Sequence, residues 1–208
     1  MRKTAQLKTP NGATDVLLHS CCAPCSTAIV ECLLDNGIRP TLFYFNPNIH
    51  PRDEYLRRKD ESLRYADLLG LDFIDADYSP SAWLRLTREL ADEPERGARC
   101  AVCFAQRLTE TARYAQGHGF RLFTTTLATS RWKSREQVTA AGRSAAALFP
   151  DLVYWEHDWR KGGLSERKAE LTRQHAFYAQ PYCGCVYSLR DANRWRQAQG
   201  KPLIERSG

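Results

Sequence analysis

Seven of the eight cysteines in this 208-residue chain lie in three short clusters that are widely separated in sequence. The clusters are Cys21-Cys22-Ala23-Pro24-Cys25, Cys100-Ala101-Val102-Cys103 and Cys183-Gly184-Cys185. Thiolates gathered at one point are the usual way in which a protein holds a soft metal ion or an iron–sulfur cluster. The pattern therefore predicts a fold that brings three distant segments into one metal site.

No targeting or membrane segment is visible in the sequence. The segment from Met1 to Asp15 has no apolar stretch of the kind that a secretory signal requires, and no segment approaches the ~20 apolar residues of a membrane helix. We therefore expect a cytoplasmic protein with no membrane partner. In reducing cytosol, clustered cysteines serve as metal ligands or redox groups more often than as disulfides.

Short apolar runs alternate with helical patterns along the chain. The predicted strands cover residues 16–18, 41–45, 73–74, 122–126 and 152–155. The predicted helices cover residues 25–36, 54–69, 81–91, 103–116, 134–148, 165–178 and 187–197. This alternation predicts a three-layer α/β domain around a mostly parallel sheet. The chain length favours a single catalytic domain over residues 15–208, preceded by a flexible tail at residues 1–14.

The first cysteine cluster has a favourable position in such a fold. Functional groups collect beyond the carboxyl ends of parallel strands. Cys21, Cys22 and Cys25 directly follow the first predicted strand and stand at the start of a helix. The helix dipole and the free backbone N–H groups there favour an anionic thiolate. The first cluster therefore lies where an active site is expected.

The number of thiols leaves more than one kind of metal site open. A C-x-x-C pair alone is shared by thioredoxin-type redox motifs and zinc knuckles. Seven thiols exceed the four that one zinc ion or one cubane cluster binds, so they indicate two metal centres or one centre with a redox pair. Zinc remains an alternative, although no histidine has a zinc-like spacing. His19 is expected to be a satisfied polar group, and Cys32 to pack in the core.

Longer segments around the clusters resemble the QueH family of epoxyqueuosine reductases. They are LLHSCCAPCS at residues 17–26, RCAVCF at residues 99–104 followed by Arg107-Leu108, and YCGCVYS at residues 182–188. Three further segments resemble the same family: YFNPNIHP at residues 44–51, TTTL at residues 124–127 and DWRKGG at residues 158–163. The resemblance extends over residues 15–190, with the motifs in the family's order.

This resemblance implies an activity, its cofactors and its partners. The activity is the reduction of epoxyqueuosine to queuosine at the wobble position of tRNA, the last step of queuosine biosynthesis, by an oxidoreductase that uses no cobalamin. The implied cofactors are a [4Fe–4S] cluster and an adjacent mononuclear iron. The implied partners are tRNA carrying epoxyqueuosine and an unidentified electron donor. The implied fold is similar to the HUP class, which is adenine nucleotide alpha hydrolase-like.

The motif cysteines are the ligands that the resemblance implies. The candidate cluster ligands are Cys21, Cys22, Cys100, Cys103, Cys183 and Cys185. Cys25 either binds the lone iron or is a spare thiol, since some members of the family carry Asp at this position. The division of the other ligands between the cluster and the iron stays open.

The chemistry also requires an acid. Removal of an epoxide oxygen as water takes two electrons and a group that protonates the departing oxygen. Asp158, Tyr182 and His157 are the candidates because they lie near the family motifs. The alternative for each is a hydrogen bond that serves only the structure.

The charge of the chain is compatible with an RNA partner. Lys and Arg number 30 against 24 for Asp and Glu, a formal net charge of +6. The candidate phosphate contacts are Arg131, Lys133, Arg135, Arg160 and Lys161, with Trp132 and Trp159 available for base stacking. The alternative is a solvated basic face with tryptophans in the core.

Two other functions fit parts of the pattern. An ATP-using tRNA thiolase of the same broad fold would need a glycine-rich loop after the first strand, and residues 20–24 contain no glycine. A zinc-stabilised RNA-binding module without catalysis would contain zinc and no iron. ATP binding and the iron content of the purified protein distinguish these functions from the reductase.

Overall fold

The computed structural model describes residues 6–205 of the chain. Five parallel strands form one sheet in the order β3-β2-β1-β4-β5. The strands are β1 (Asp15–His19), β2 (Arg39–Tyr44), β3 (Phe73–Asp75), β4 (Leu122–Thr125) and β5 (Val153–Tyr154). The chain runs outward from β1 to β3 and then crosses back to β4, so β1 is the central strand.

Helices connect the strands and cover the sheet. They are α1 (Ala23–Asp35), α2 (Arg52–Leu68), α3 (Pro80–Thr87), α4 (Ala98–Gly117), α5 (Arg135–Ala146), α6 (Leu164–Gln174) and α7 (Val186–Ala198). All predicted strands and helices occur within residues 6–205. None of the helices described here is both long and apolar enough to cross a membrane.

Three helices differ clearly from the sequence prediction at one end. Helix α3 ends at Thr87, before the predicted end at residue 91, and a 3₁₀ turn at Arg88–Leu90 follows it. Helix α4 begins at Ala98, before the predicted start at residue 103, because the Glu93 carboxylate accepts the free backbone N–H of Ala98 at 3.0 Å. Helix α6 ends at Gln174, before the predicted end at residue 178. Ala176 has a φ of +52°, which a continuing helix does not allow.

Side chains of β1 alternate between two cores. Val16 and Leu18 pack with Leu33 of α1 on one face of the sheet, and Leu17 packs with Phe104 of α4 on the other. Helix α1 lies against α2 and α6, whereas α4 lies against α5. The predicted three-layer α/β arrangement is confirmed.

The predicted tail at residues 1–14 falls partly outside the described residues. From residue 6 onward, the segment makes contacts with the domain. The backbone N–H of Leu7 donates to Asn36 Oδ1 at 2.8 Å, and the side-chain amide of Asn11 donates to the carbonyl of Arg121 at 2.9 Å. Leu7 also packs against the core that contains Cys32, which is buried there as expected.

Gly142 marks a close approach between α5 and the sheet. A Cβ at this position would lie 2.4 Å from the ring of Tyr154 on β5. We expect Gly142→Ala to lower the free energy of unfolding by about 1–3 kcal/mol, the usual cost of overpacking a core, as measured by urea unfolding. The matched control is Gly117→Ala at the end of α4, where an added Cβ has no atom within 4 Å. Equal effects of the two substitutions would contradict this packing.

Candidate metal centre

The first cysteine cluster lies between β1 and α1. Cys22 is the residue that precedes α1, and Cys25 lies in its first turn. Pro24 fits this turn because a helix start does not use its missing N–H. The sulfur atoms of Cys21, Cys22 and Cys25 all lie within 4.8 Å of one another, and all three residues are buried. Three converging thiols of this kind can bind a metal ion.

The three thiols have very different proton affinities. Hydrogen bonds from Cys22 and Cys25 hold the pKa of Cys21 well below its usual value, and the charges of Lys133 and Arg107 act in the same direction. Burial raises the pKa of Cys22, and the hydrogen bond to Cys21 raises that of Cys25. Cys21 is therefore the thiol of the group that gives up its proton most readily, and metal binding would release the protons that remain on the three thiols.

Residues after β4 anchor the start of the first cluster. The backbone N–H of Cys21 donates to Thr126 Oγ1 at 3.1 Å, and this hydroxyl donates to Cys21 Sγ at 3.3 Å. His19 Nε2 donates to the carbonyl of Phe45, and His19 Nδ1 accepts from Thr125 Oγ1 at 2.9 Å. Burial lowers the pKa of His19 to about 3. Both ring nitrogens are engaged, so His19 is the satisfied polar group that the sequence predicts.

A cavity of about 320 Å³ opens beside the first cluster. Cys21 and Cys25 line this cavity, and Cys183 from the third cluster lines it too. Among the described residues, no aspartate or glutamate lines the cavity, but five cationic residues do. They are Arg58, Arg107, Arg131, Lys133 and Lys168. The sulfur atoms therefore face a positively charged wall.

The second cluster meets the third. Cys103 packs against Cys185 in a small buried core. The pKa of Cys100 is raised to about 11, chiefly by burial, and negative charge at Cys183 and Cys103 acts in the same direction. The third cluster is therefore near both of the others, because Cys185 shares a core with Cys103 and Cys183 lines the cavity beside the first cluster.

Two lysines face the thiols directly. Lys133 is only 6% exposed, and burial alone would lower its pKa. Negative charge at Cys183, Cys21 and Cys25 outweighs burial and raises the pKa of Lys133 above its usual value. Lys168 Nζ lies 3.8 Å from Cys25 Sγ, and that thiol raises the pKa of Lys168. Both lysines are therefore charged and stabilise thiolate next to them.

Arg58 holds the third cluster in place. Its guanidinium donates from Nη1 to the carbonyl of Cys183 at 3.0 Å and from Nη2 to the carbonyl of Tyr182 at 3.3 Å, and Glu54 neutralises its charge. Gly184 has a φ of +130°, and an added Cβ would lie 2.9 Å from Arg58 Nη1. Only glycine therefore lets the cluster lie this close to the guanidinium.

The three predicted acids have structural contacts and do not line the cavity. Asp158 forms an ion pair with Arg135 at 3.0 Å. The ring of His157 packs between two tryptophan rings, and burial lowers its pKa. The Tyr182 hydroxyl donates to the carbonyl of His50 at 2.5 Å, and burial raises its pKa. The role of each of the three residues as an acid stays a prediction.

The predicted phosphate contacts have three different environments. Arg131 is exposed at the edge of the thiol cavity. A second cavity, of about 410 Å³, lies beside the start of α5, and its lining includes Glu136 and four basic residues: Arg96, Lys133, Arg135 and Arg160. Lys161 is largely exposed and lines neither cavity. Lys133 belongs to the walls of both cavities, so the basic surface continues from one to the other.

The two tryptophans predicted to stack on bases differ in their exposure. Trp132 lines the thiol cavity, and the Arg131 guanidinium lies 5.1 Å from the centre of its ring. Trp159 is 3% exposed, and its indole N–H donates to Thr124 Oγ1 at 3.1 Å. The ring of Trp159 is therefore not available for base stacking, and Trp132 is.

Several cavity residues gave no clear signal in the sequence. Arg58 and Lys168 lie on α2 and α6, far in sequence from the cysteines that they contact. Tyr178 and Gln180 line the cavity because α6 ends before them. Arg107 had a signal: it follows Cys103 by one helical turn inside the second motif.

Comparison with known proteins agrees with this geometry. The family model described as "Epoxyqueuosine reductase QueH" matches residues 16–191. The chain belongs to this family. The QueH protein of Histophilus somni is 49% identical over 96% of this chain and 82% of its own length. The QueH protein of Acinetobacter baylyi is 48% identical over 96% of this chain and 92% of its own length.

A solved structure supports the fold class. The fold is similar to that of a crystal structure from Methanocaldococcus jannaschii, described as a predicted subunit of tRNA methyltransferase. The match covers 93% of each chain, with a TM-score of 0.53 and 11% sequence identity. At this identity the likeness concerns the fold alone. The likeness supports the predicted α/β fold class with a mostly parallel sheet.

The close contact between Gly184 and Arg58 can be tested by substitution. We expect Gly184→Ala to lower the free energy of unfolding by about 1–3 kcal/mol, because the new methyl group overlaps the guanidinium and the backbone disfavours a side chain there. Urea unfolding measures the change. The matched control is Gly200→Ala, which shares a positive φ of +62° but has no atom within 4 Å of the added Cβ. A loss in the control as large as that of Gly184→Ala would contradict the close contact between Gly184 and Arg58.

Proposed function

We propose that this protein reduces epoxyqueuosine to queuosine at the wobble position of tRNA, with an iron–sulfur cluster and an adjacent iron and without cobalamin. The proposal includes residues 15–208 acting as a single catalytic domain. The proposal rests mainly on one observation. In this QueH family chain, cysteines of the first and third clusters line one cavity with five cationic residues and, among the described residues, no carboxylate, and the second cluster packs against the third.

The donor set fits an iron–sulfur cofactor. Cysteine thiolates are the usual ligands of iron–sulfur clusters, and positive charge from Lys133 and Lys168 would offset the charge of a thiolate-bound centre. We propose as cluster ligands the motif cysteines Cys21, Cys22, Cys100, Cys103, Cys183 and Cys185, with Cys25 as a further metal ligand. Bound there, the cluster would supply single electrons, and the adjacent iron would supply a Lewis acid.

Side chains in and beside the cavity would bind the tRNA. The wobble base lies in a single-stranded loop, and enzymes that act on a base take it out of its stack into a pocket. Trp132 lines the cavity and offers a ring for stacking. The basic surface leading away from the cavity, formed by Arg131, Arg135 and Arg160, is suited to the phosphates on either side of the base. Lys161 would extend this surface.

Loss of one proposed ligand should remove the cofactor and the activity together. In anaerobic reconstitution with iron and sulfide, we expect Cys100→Ser to lower iron content and the rate of queuosine formation by at least about tenfold, since even outer-shell changes at metal sites cost 10–100-fold. The matched control, Cys32→Ser, changes a buried cysteine in the other core and should keep its iron. A Cys100→Ser protein with a full cluster and full rate would refute the assignment. Stoichiometric zinc without iron in the anaerobic wild-type protein would refute the proposed cofactor.

Phosphate contacts should appear in the salt dependence of tRNA binding. Each contact contributes a slope of about 0.7–0.9 to the plot of log affinity against log salt. We expect Arg160→Ala to weaken binding and to reduce this slope by about one such contact. Arg194→Ala, which removes an exposed arginine on α7, is the matched control. If both variants kept the wild-type slope, the proposed phosphate surface would be wrong.

A further inference from the structure

Arg107 is a buried cation that lines the thiol cavity. It lies on α4, is only 2% exposed, and belongs to the cavity wall together with Cys21. Burying a charge is costly unless the group is paired or hydrogen-bonded. The contacts of Arg107 therefore indicate whether its charge serves the fold or something inside the cavity.

The guanidinium of Arg107 is held in place but only partly satisfied. Nη2 donates to Asn46 Oδ1, and the Asn46 amide donates to the carbonyl of Ser20 at 2.9 Å, so the group is tied to the loop after β1. Within residues 6–205, Nε of Arg107 has no hydrogen-bond partner, and no carboxylate forms an ion pair with this side chain. A guanidinium has five N–H donors, so Arg107 retains unused donors beside the cavity.

The charge of Arg107 also acts on Cys21, but the other cations of the cavity are more fully engaged. Arg58 pairs with Glu54 and donates to two carbonyls. Lys133 faces three thiols, and Lys168 lies against Cys25. Arg131 lies over the ring of Trp132 at the edge of the cavity. Arg107 is thus the buried cavity cation that best combines a fixed position with free donors.

We propose that Arg107 is a catalytic residue that binds the epoxide oxygen of the substrate and stabilises the negative charge that develops on it. This inference rests on the proposed function. The overall step converts the epoxide, two electrons and two protons into the alkene and water. Both C–O bonds break, carbon is reduced, and the oxygen leaves as water. The electrons come from a one-electron reductant, which is a carrier protein in the cell and dithionite in the assay.

The guanidinium suits this role because it keeps its charge at neutral pH. Arg107 donates hydrogen bonds to the oxygen as the first C–O bond breaks and keeps its own protons, which other donors or water supply to the oxygen. Such a donor acts on charge that exists in the transition state and not in the bound substrate. Its loss therefore lowers kcat and leaves KM nearly unchanged.

The test compares Arg107→Gln and Arg107→Lys with the wild-type protein after anaerobic reconstitution, using epoxyqueuosine tRNA and excess dithionite. We expect Arg107→Gln to lower kcat by roughly 10²–10³-fold, the usual effect of removing one such donor, with KM within about threefold and unchanged iron and sulfide content. Arg107→Lys keeps the positive charge and a compact donor, so it should recover part of the lost rate. If Arg107→Gln fails to fold, the Lys variant still tests the role of the side chain. The matched control is Arg113→Gln on the exposed side of the same helix.

The possible outcomes separate this inference from the proposed function. If the wild-type protein forms no queuosine, the proposed function fails. If the wild-type protein is active and both Arg107 variants keep its kcat, only the inference on Arg107 is overturned. The inference is also overturned if the variants lose iron in proportion to their rate, or if the change is confined to KM.

Discussion

Sulfur anions inside a protein require positive charge close to them, and this requirement organises the site. Cys21 is a thiolate in the interior, and Lys133 and Arg107 help to lower its pKa. The same thiols keep Lys133 charged although it is almost fully buried. Each charge would be costly to bury alone, and together they are mutually stabilising. The result is a polar, cation-lined cavity next to the apolar cores.

The sheet topology determines where this charge balance can form. The chain leaves β1 in one direction towards β2 and returns on the other side with β4, so the crevice between β1 and β4 is the switch point of the sheet. Cys21 follows β1 and Thr126 follows β4, and they are joined by hydrogen bonds across this crevice. Related folds bind phosphates at such a position. In this chain residues 20–24 contain two cysteines and no glycine, which suits a metal better than a phosphate.

Long-range contacts bring the third cluster to this point. The segment before α7 has no strand or helix of its own around Cys183, and its backbone carbonyls are held by Arg58 from α2. The backbone N–H of His50 also donates to the carbonyl of Gly184 at 2.8 Å. The position of the last thiols therefore depends on packing between α2 and a segment far along the chain. Substitutions in α2 can thus influence a metal site to which α2 contributes no ligand.

Local sequence patterns were sufficient for the secondary structure and for locating the thiols. The alternation of apolar runs predicted every strand and helix, because hydrophobic periodicity is a local property of the chain. The motifs around Cys21, Cys100 and Cys183 were sufficient to indicate the family. The helix ends at Ala98 and Gln174 were not predicted, since a capping carboxylate and a single residue with positive φ determine them.

Sequence reasoning alone could not assign the surroundings of the thiols. It treated Lys133 as a surface contact for phosphate, whereas the folded chain buries it against sulfur. It named Asp158 as one of three candidate acids from its motif, and only the folded chain shows that this carboxylate pairs with Arg135 and does not line the cavity. Which cations face the thiols depends on how helices from distant parts of the chain pack together. The sequence by itself determined the thiols and the elements that carry them, and only the tertiary structure decided which charges and donors surround them.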